Sequence, residues 1–275
     1  ILGKTNLSEW AYYFCNNCPS GYSALGGQTL NPYGRKIFDS GGSSSGSGAA
    51  ISANFSSVSL GSETSGSILS PSSANSIVGL KPTIGQVSRS GIVPISSTLD
   101  TSGPMTKNVI DNAIVLKAVS GFDENDFMSV NSEDIDLESI VNSTLKGKRF
   151  GVFNEFLNDS LYLSAVNKIE KLGGTIIKFN PPQINFDGFR KILDYDMKND
   201  LPIYFKNNNI SFKSVKDIIE FNKEDLIKRA PYGQGIFKSI QSDSTKLEEI
   251  SSIKNRIKVE GKRYFSTAIN KHKLD

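Results

Sequence analysis

The chain of 275 residues has one histidine, His272, three positions from its last residue, and only two cysteines, Cys15 and Cys18. A Ser-His-Asp or Cys-His catalytic arrangement therefore has almost nothing to draw on. A single C-x-x-C supplies two of the four ligands that a structural zinc needs. His272 reads as a surface residue at a helix end, and the two cysteines as ordinary or surface thiols. Net charge is also small: 31 Lys plus Arg against 28 Asp plus Glu leave a formal +3, which gives no warrant for nucleic-acid or membrane-surface affinity. No apolar run approaches the ~20 residues of a membrane span. No signal peptide is recognisable, which favours the cytoplasm without fixing the compartment, since the chain opens on Ile1-Leu2-Gly3 without a Met.

What is abundant is serine and glycine in one place. Positions 40 to 73 hold 15 Ser and 6 Gly, a composition that would suit a flexible linker. Yet Ala49, Ala50, Ile51, Ala53 and Phe55 recur at helical spacing between the two clusters, so the stretch reads as folded. At 37% hydrophobic residues the chain can bury a core without a disulfide or a metal. An α/β fold acting on a small molecule or peptide fits these limits.

Along the chain, Ile1 and Leu2 read as the end of a buried strand, "LSEWAYYF" as a helical segment with core aromatics, and Asn31 to Gly34 as a loop. Ser47 to Asn54 reads as a short helix and Val58 to Leu60 as a buried strand running into a tight turn, "GSETSGS". Val109 to Val119 reads as a helix with Val109, Ala113, Leu116 and Val119 on one face. After Gly121 an acidic, irregular stretch leads to a β-α-β unit: strand Arg149 to Phe153, helix Leu161 to Leu172, strand Gly174 to Phe179. Helices are expected at Phe186 to Met197, Val215 to Lys228 and Thr245 to Asn270. The division is into 1–121 and 122–275 of one domain.

With histidine scarce, a serine nucleophile needs another base. A desolvated, neutral lysine can accept a proton near pH 7, and a second serine can relay it. "GGSSS" can place a hydroxyl at a sharp bend, and "ETSGS" can aim successive backbone N–H groups at an anion. From the residues alone, this reading stands only a little ahead of a phosphate-binding loop.

Gly41 to Ala50 "GGSSSGSGAA", Gly61 to Leu69 "GSETSGSIL" and Gly79 to Thr83 "GLKPT" together resemble the amidase signature family, and "GKTNLSEWA", "GGQTLNPY", "GQVSRSGIVPIS" and "LDTSGPMTKNVIDNAIVL" extend the resemblance to about Gly121. The resemblance implies an amidase-signature fold, a mixed central sheet flanked by helices on both faces. It places the nucleophile at Ser67 and the relay at Ser43, the latter after a cis Gly42–Ser43 peptide. It puts the oxyanion hole at the N–H groups of Thr64, Ser65, Gly66 and Ser67, with Ser44, Ser47 and Asp100 in support. No metal or organic cofactor is implied. The expected partner is a small-molecule or peptide amide, with no nucleic acid and no membrane, and the oligomeric state is left open. Arg89 and Asp100 are expected to brace loops, and Tyr22 is a candidate for the pocket mouth.

Three residues depart from the common pattern: Ser45 and Ser65 stand where Gly is usual, and Glu63 where Asp is usual. The usual Arg after "GGSI" is Leu69 here. The variant motifs are most similar to the peptide amidase branch, and the missing Arg counts against the branch of glutamyl-tRNA amidotransferase A-subunits. The family's catalytic lysine is expected upstream of "GKTN", where this chain begins, and "HKLD" reads as the lead-in to a further strand, so both ends are expected to be cut. Lys4 and Lys81 match framework lysines, and nothing marks Lys36 as buried. Without the base, the chain alone is expected to be inactive. Three rivals stay open: a noncatalytic amidase-like binding or subunit protein, a glutaminase like the glutamyl-tRNA amidotransferase A-subunit, and a nucleotide-binding module with "LGKT" as the tail of a Walker A loop.

Overall fold

The computed structural model describes all 275 residues. The two opening apolar residues, Ile1 and Leu2, are exposed coil, not the end of a buried strand. An extended pair joins a sheet only where a neighbour takes up its backbone groups, and none does so here. The "LSEWAYYF" helix is also absent. Ser8 is pinned at both its N–H and its hydroxyl, to Ser43 O at 2.9 Å and Gly21 N at 2.8 Å, and Trp10 and Ala11 take left-handed backbone (φ 51° and 53°). What remains is a 3-10 turn, Glu9–Tyr12. Of the expected core aromatics Phe14 is buried and Trp10 and Tyr13 pack against the core, but Tyr12 is exposed.

A small hairpin, β1 (Tyr22–Ser23) and β2 (Gly27–Gln28), precedes helix α1 (Ser45–Ser52). Strand β3 (Val58–Glu63), helix α2 (Leu69–Ala74), strand β4 (Val78–Gly79) and strand β5 (Thr101–Thr106) follow. The sheet order is β3-β5-β4, all antiparallel, with every residue of β5 buried. Val58 and Leu60 of β3 are exposed rather than buried; the burial comes at Gly61 and Glu63, further along the strand. Helix α3 (Val109–Val119) has the expected bounds, capped by Asn108, whose side chain accepts the Asp111 N–H at 2.8 Å. Its inward residues are Asn112 and Leu116, while Val109 is exposed. Asn112 faces in because its amide donates to Val78 O, Pro104 O and Thr106 Oγ1, tying the helix to β4 and β5.

Next come helix α4 (Leu137–Val141), strand β6 (Arg149–Phe153), helix α5 (Ser160–Lys171) and strand β7 (Thr175–Phe179). β6 and β7 pair in parallel from Arg149↔Thr175 to Phe153↔Phe179, as a strand pair joined by a crossover helix must. Helix α6 (Phe189–Asn207) runs on through Pro202, well past the expected end at Met197. The expected helix over Val215–Lys228 divides into α7 (Val215–Lys223) and α8 (Leu226–Arg229), because Asp225 caps the second piece with its side chain. Helices α9 (Gly235–Ser242) and α10 (Leu247–His272) complete the chain. Parallel and antiparallel pairing are both present, and the α/β class holds.

The chain forms two compact units, residues 1–137 with 193–244, and residues 138–192 with 245–275. The first contains an apolar cluster where Phe14, Met197, Leu201, Ile218, Phe237 and Ile240 meet. Phe237 is fully buried, with Trp10 and Phe14 edge-on to its ring at 5.1 and 4.9 Å. A ring buried in this way contributes roughly 1.5–3 kcal/mol. Cys15 and Cys18 at the edge of this cluster are joined as a disulfide, Cα–Cα 5.4 Å, and are not the free thiols expected. The 3-10 turn just before them brings the chain around so that two cysteines three apart can meet. In the second unit α10 and the β6–β7 pair bring Phe153 edge-on to Phe179 (5.3 Å) and Tyr264 (6.4 Å). His272 stacks at a tilt on Phe179, 5.2 Å between ring centres, at the end of α10. No helix is long and apolar enough to cross a membrane.

Candidate active site

The first Ser/Gly cluster folds as a loop running into α1. Gly41 has φ +66°, and a Cβ there would lie 2.5 Å from Pro71 Cα, so the loop can pass α2 only with glycine at this point. The Gly42–Ser43 peptide is cis. The hydroxyls that follow are nearly all committed. Ser44 Oγ donates to Ser62 O at 3.1 Å and accepts the Ser62 N–H at 3.0 Å. Ser47 Oγ donates to Leu60 O at 2.9 Å, and Ser45 Oγ to Gly41 O at 2.5 Å. Thus Ser44 and Ser47 clip α1 to β3. The extra hydroxyl of Ser45 closes its own loop. Asn6 of "GKTN" braces the same loop, accepting the Gly46 N–H at its carbonyl (2.8 Å) and donating its amide to Gly27 O (3.0 Å).

Ser43 is the exception. It is 1% exposed, and its Oγ has no hydrogen-bond partner. Buried hydroxyls are almost always paired; those of Ser52 and Ser120 are likewise buried without a partner. Its main chain, by contrast, is fixed: Ser43 O accepts Ser8 N–H, and the next N–H, that of Ser44, donates to Ser67 O at 3.1 Å. The last bond sets the two Ser/Gly clusters side by side. The hydroxyls of Ser43 and Ser67 do not bond each other in this state.

The second cluster is a turn between β3 and α2. Buried Glu63 ends the strand, and its carboxylate accepts the N–H groups of Ile68 (2.7 Å) and Leu69 (3.0 Å) at the start of α2. That bridge forces residues 64–67 into a closed bulge. Gly66 takes φ +83° there, with open space where a Cβ would be. The N–H groups of Thr64, Ser65, Gly66 and Ser67 donate to nothing within the chain. Successive main-chain N–H groups left without an acceptor are the kind of donors that anions take up. Ser65 is exposed, and Ser67 half-buried.

Asp100 fixes the other side of this turn. It accepts Thr64 Oγ1 at 2.5 Å and the N–H groups of Ile95 and Ser96 at 2.9 Å each. Burial pushes its carboxyl up to about 6, against the lowering effect of those three donors and of Arg89. The Arg89 guanidinium is spent on Asp126 (2.9 and 2.5 Å) and Ser97 O (2.5 Å), and its hydrogen bonds hold Asp126 down to about 2. Both residues brace loops as expected. A cavity of about 670 Å³ opens beside them, lined by Arg89, Ile92, Asp100, Phe127, Asp200 and Tyr204, a size suited to one small ligand. Tyr22 packs edge-on to Tyr232 instead of lining it. Lys4 and Lys36 are exposed, and Lys81 Nζ donates to Pro82 O, so none of the three reaches Ser43.

The reach of Glu63 and the part of α6 were not evident in the sequence. "ETSGS" shows an acidic residue before a turn but not that it returns to the amides beyond it. Asp200 lies beyond Met197, the expected end of its helix, so its place one turn after Asp196 was not there to be read.

The amidase family's sequence profile matches residues 1–250. A probable amidase of Arabidopsis thaliana is 35% identical over the whole chain, which covers 56% of that protein. The A-subunit of glutamyl-tRNA(Gln) amidotransferase from Staphylococcus aureus is 38% identical over 68% of the chain and 39% of its own length. Among solved structures, native peptide amidase from Stenotrophomonas maltophilia superposes with a TM-score of 0.90 at 34% identity, covering 99% of this chain and 59% of that one. The chain belongs to the amidase family, whose members are hydrolases. It spans about half the length of the curated relatives it matches. The Walker A alternative falls with this finding: Leu2–Thr5 is coil with no helix after it, and a phosphate loop needs that helix N-terminus.

Proposed function

We propose that this chain carries the acyl-transfer machinery of a carboxamide hydrolase, with a C-terminal peptide amide as the favoured substrate. Ser67 Oγ attacks the carbonyl carbon; the oxygen–carbon bond forms as Ser67 passes its proton to Ser43 and Ser43 passes its own to a neutral lysine. The N–H groups of Thr64 to Ser67 hold the oxyanion. The carbon–nitrogen bond then breaks, the proton returns to the leaving ammonia or amine, and water repeats the sequence on the acyl-enzyme. The scheme uses no metal or organic cofactor. The observation that carries it is the coincidence of one orphaned buried hydroxyl, Ser43 Oγ, with four undonated amides in the adjoining turn. The acyl portion is assigned to the cavity that Asp100 lines, next to the turn that this carboxylate braces through Thr64; Ser67 itself is not among the lining residues. The likeness to peptide amidase favours the substrate, while the match to the amidotransferase of Staphylococcus aureus keeps a glutaminase activity as the second reading.

Because no lysine within the chain reaches Ser43, the 275 residues alone are expected to release no ammonia, and hydrolysis to appear when a lysine is brought against Ser43. In that active form Ser67→Ala is expected to lower kcat by on the order of 10⁴-fold or more, read as ammonia released from a peptide amide. Release unaffected by Ser67→Ala would overturn the nucleophile. Release by the 275 residues alone, lost in Ser67→Ala, would place the base inside them. A noncatalytic relative would show neither hydrolysis nor labelling of Ser67 by a fluorophosphonate in the lysine-bearing form.

A further inference from the structure

Helix α6 presents two carboxylates, one turn apart, to a single loop. Asp196 is 3% exposed, and its Oδ2 accepts both Ser96 Oγ (2.5 Å) and Thr98 Oγ1 (2.9 Å). Asp200 Oδ2 accepts the Ser97 N–H at 2.7 Å. Three successive loop residues are thus held to one face of the helix by charge-assisted bonds, the stronger kind. From its other side, the same loop gives the Ile95 and Ser96 N–H groups to Asp100, which in turn takes the Thr64 hydroxyl. Thr64 is the first residue of the turn whose amides are undonated.

We propose that Asp196 and Asp200 are positioning residues for the Thr64–Ser67 turn, acting through the Ile95–Thr98 loop and Asp100. Their consequence for catalysis rests on the function proposed above; the mechanical link does not. A loop needs fixing at both edges to hold a carboxylate still. Asp100 alone would transmit only the loop's own motion to Thr64, whereas α6 is packed into the apolar cluster through Met197, Leu201 and Phe205. The helix therefore acts as the rigid member, and the acidic pair as the coupling. Arg89 holds Ser97 O from a third direction and brings its partner Asp126 to the junction. Asp194 of the same helix serves a different purpose, accepting Tyr13 Oη at 2.5 Å and Ser239 Oγ at 3.4 Å, and so provides an internal comparison.

The test is nuclear magnetic resonance on the 275-residue chain. In Asp196→Asn and Asp200→Asn, the Ile95 and Ser96 amides are expected to exchange with solvent about tenfold faster and the Thr64–Ser67 amide resonances to move, while Asp194→Asn leaves those resonances in place. Turn resonances unmoved in both variants, or moved equally by Asp194→Asn, would overturn the proposal. Thr98→Val, which keeps every carboxylate, gives the same readout should Asp196→Asn not fold. Moved resonances without any amide hydrolysis in the lysine-bearing form would sink the function and leave the clamp. Ser67-dependent hydrolysis with unmoved resonances would do the reverse.

Discussion

The stretch from Ser40 to Thr106 and the β6-α5-β7 unit with α10 beside it are built on opposite rules. In the first, buried polar side chains such as Ser44, Ser47, Glu63 and Asn75 pin one backbone segment to another. In the second, Phe153, Phe179 and Tyr264 meet ring to ring, and Val152 and Val166 fill the space between strands and helix. Apolar packing rewards volume and tolerates small shifts. A satisfied hydrogen-bond network rewards direction, and each member left unpaired costs about 1–3 kcal/mol. The directional construction is the one that surrounds the four undonated amides of residues 64–67.

The sharpest way to break this contrast is a single methyl group. A Cβ on Gly46 would lie 2.3 Å from Asn6 O and 2.8 Å from Asn6 N, both main-chain atoms, while Gly46 N–H is itself bonded to that oxygen. Neither side can yield without losing the bond. Gly46→Ala is therefore expected to cost about 3 kcal/mol or more, seen as a lowered urea midpoint at unchanged m-value. A loss under about 1 kcal/mol would mean that the serine-rich loop is as forgiving as an apolar core.

Asp100 gives the next largest effect, through pH. Its folded value, about 6 against an ordinary 3.8, means that the folded chain binds the proton more tightly than the unfolded one. Between about pH 4 and 6 stability must then fall as pH rises, by up to about 3 kcal/mol in total. Asp126, held low at about 2, works in the other sense: its contribution is present above about pH 4 and is lost as pH falls toward 2. The two windows do not overlap. Denaturant titrations of the wild type and Asp100→Asn should diverge between about pH 4 and 6, with the variant lacking the downward slope. Parallel curves would show that the carboxyl is not buried as the structure has it.

These two constructions also differ in how far the sequence disclosed them. Periodicity located β6, α5, β7 and α3 to within a residue or so because apolar spacing is a local signal. The serine-rich half hid its sheet. β5 runs through Gly103 and Pro104, residues that argue against a central strand, yet it lies between β3 and β4; Pro104 O accepts Leu80 N–H and the Asn112 amide. The segment before Cys15 looked helical but is decided by Ser8, whose partners lie far along the chain at Ser43 and Gly21. The motifs marked the two Ser/Gly clusters, which the Ser44 N–H to Ser67 O bond sets side by side. They could not disclose Glu63 returning to α2, or Asp196 and Asp200 reaching the loop from α6, because those bonds depend on tertiary placement.

The smallest effect tests the other half of the comparison. Gly261 lies inside α10, where a Cβ would meet nothing within 4 Å. Here the added methyl displaces no main chain; it restricts the unfolded chain and improves helix propensity, together roughly 0.4–1 kcal/mol. Gly261→Ala should raise the melting temperature by a few degrees, while Gly46→Ala, the same change of one atom, lowers it. If Gly261→Ala instead destabilises, that face of α10 is not open as the structure has it. Opposite signs for one chemical edit would locate the difference between the regions in the backbone bonds that surround Gly46, not in glycine itself.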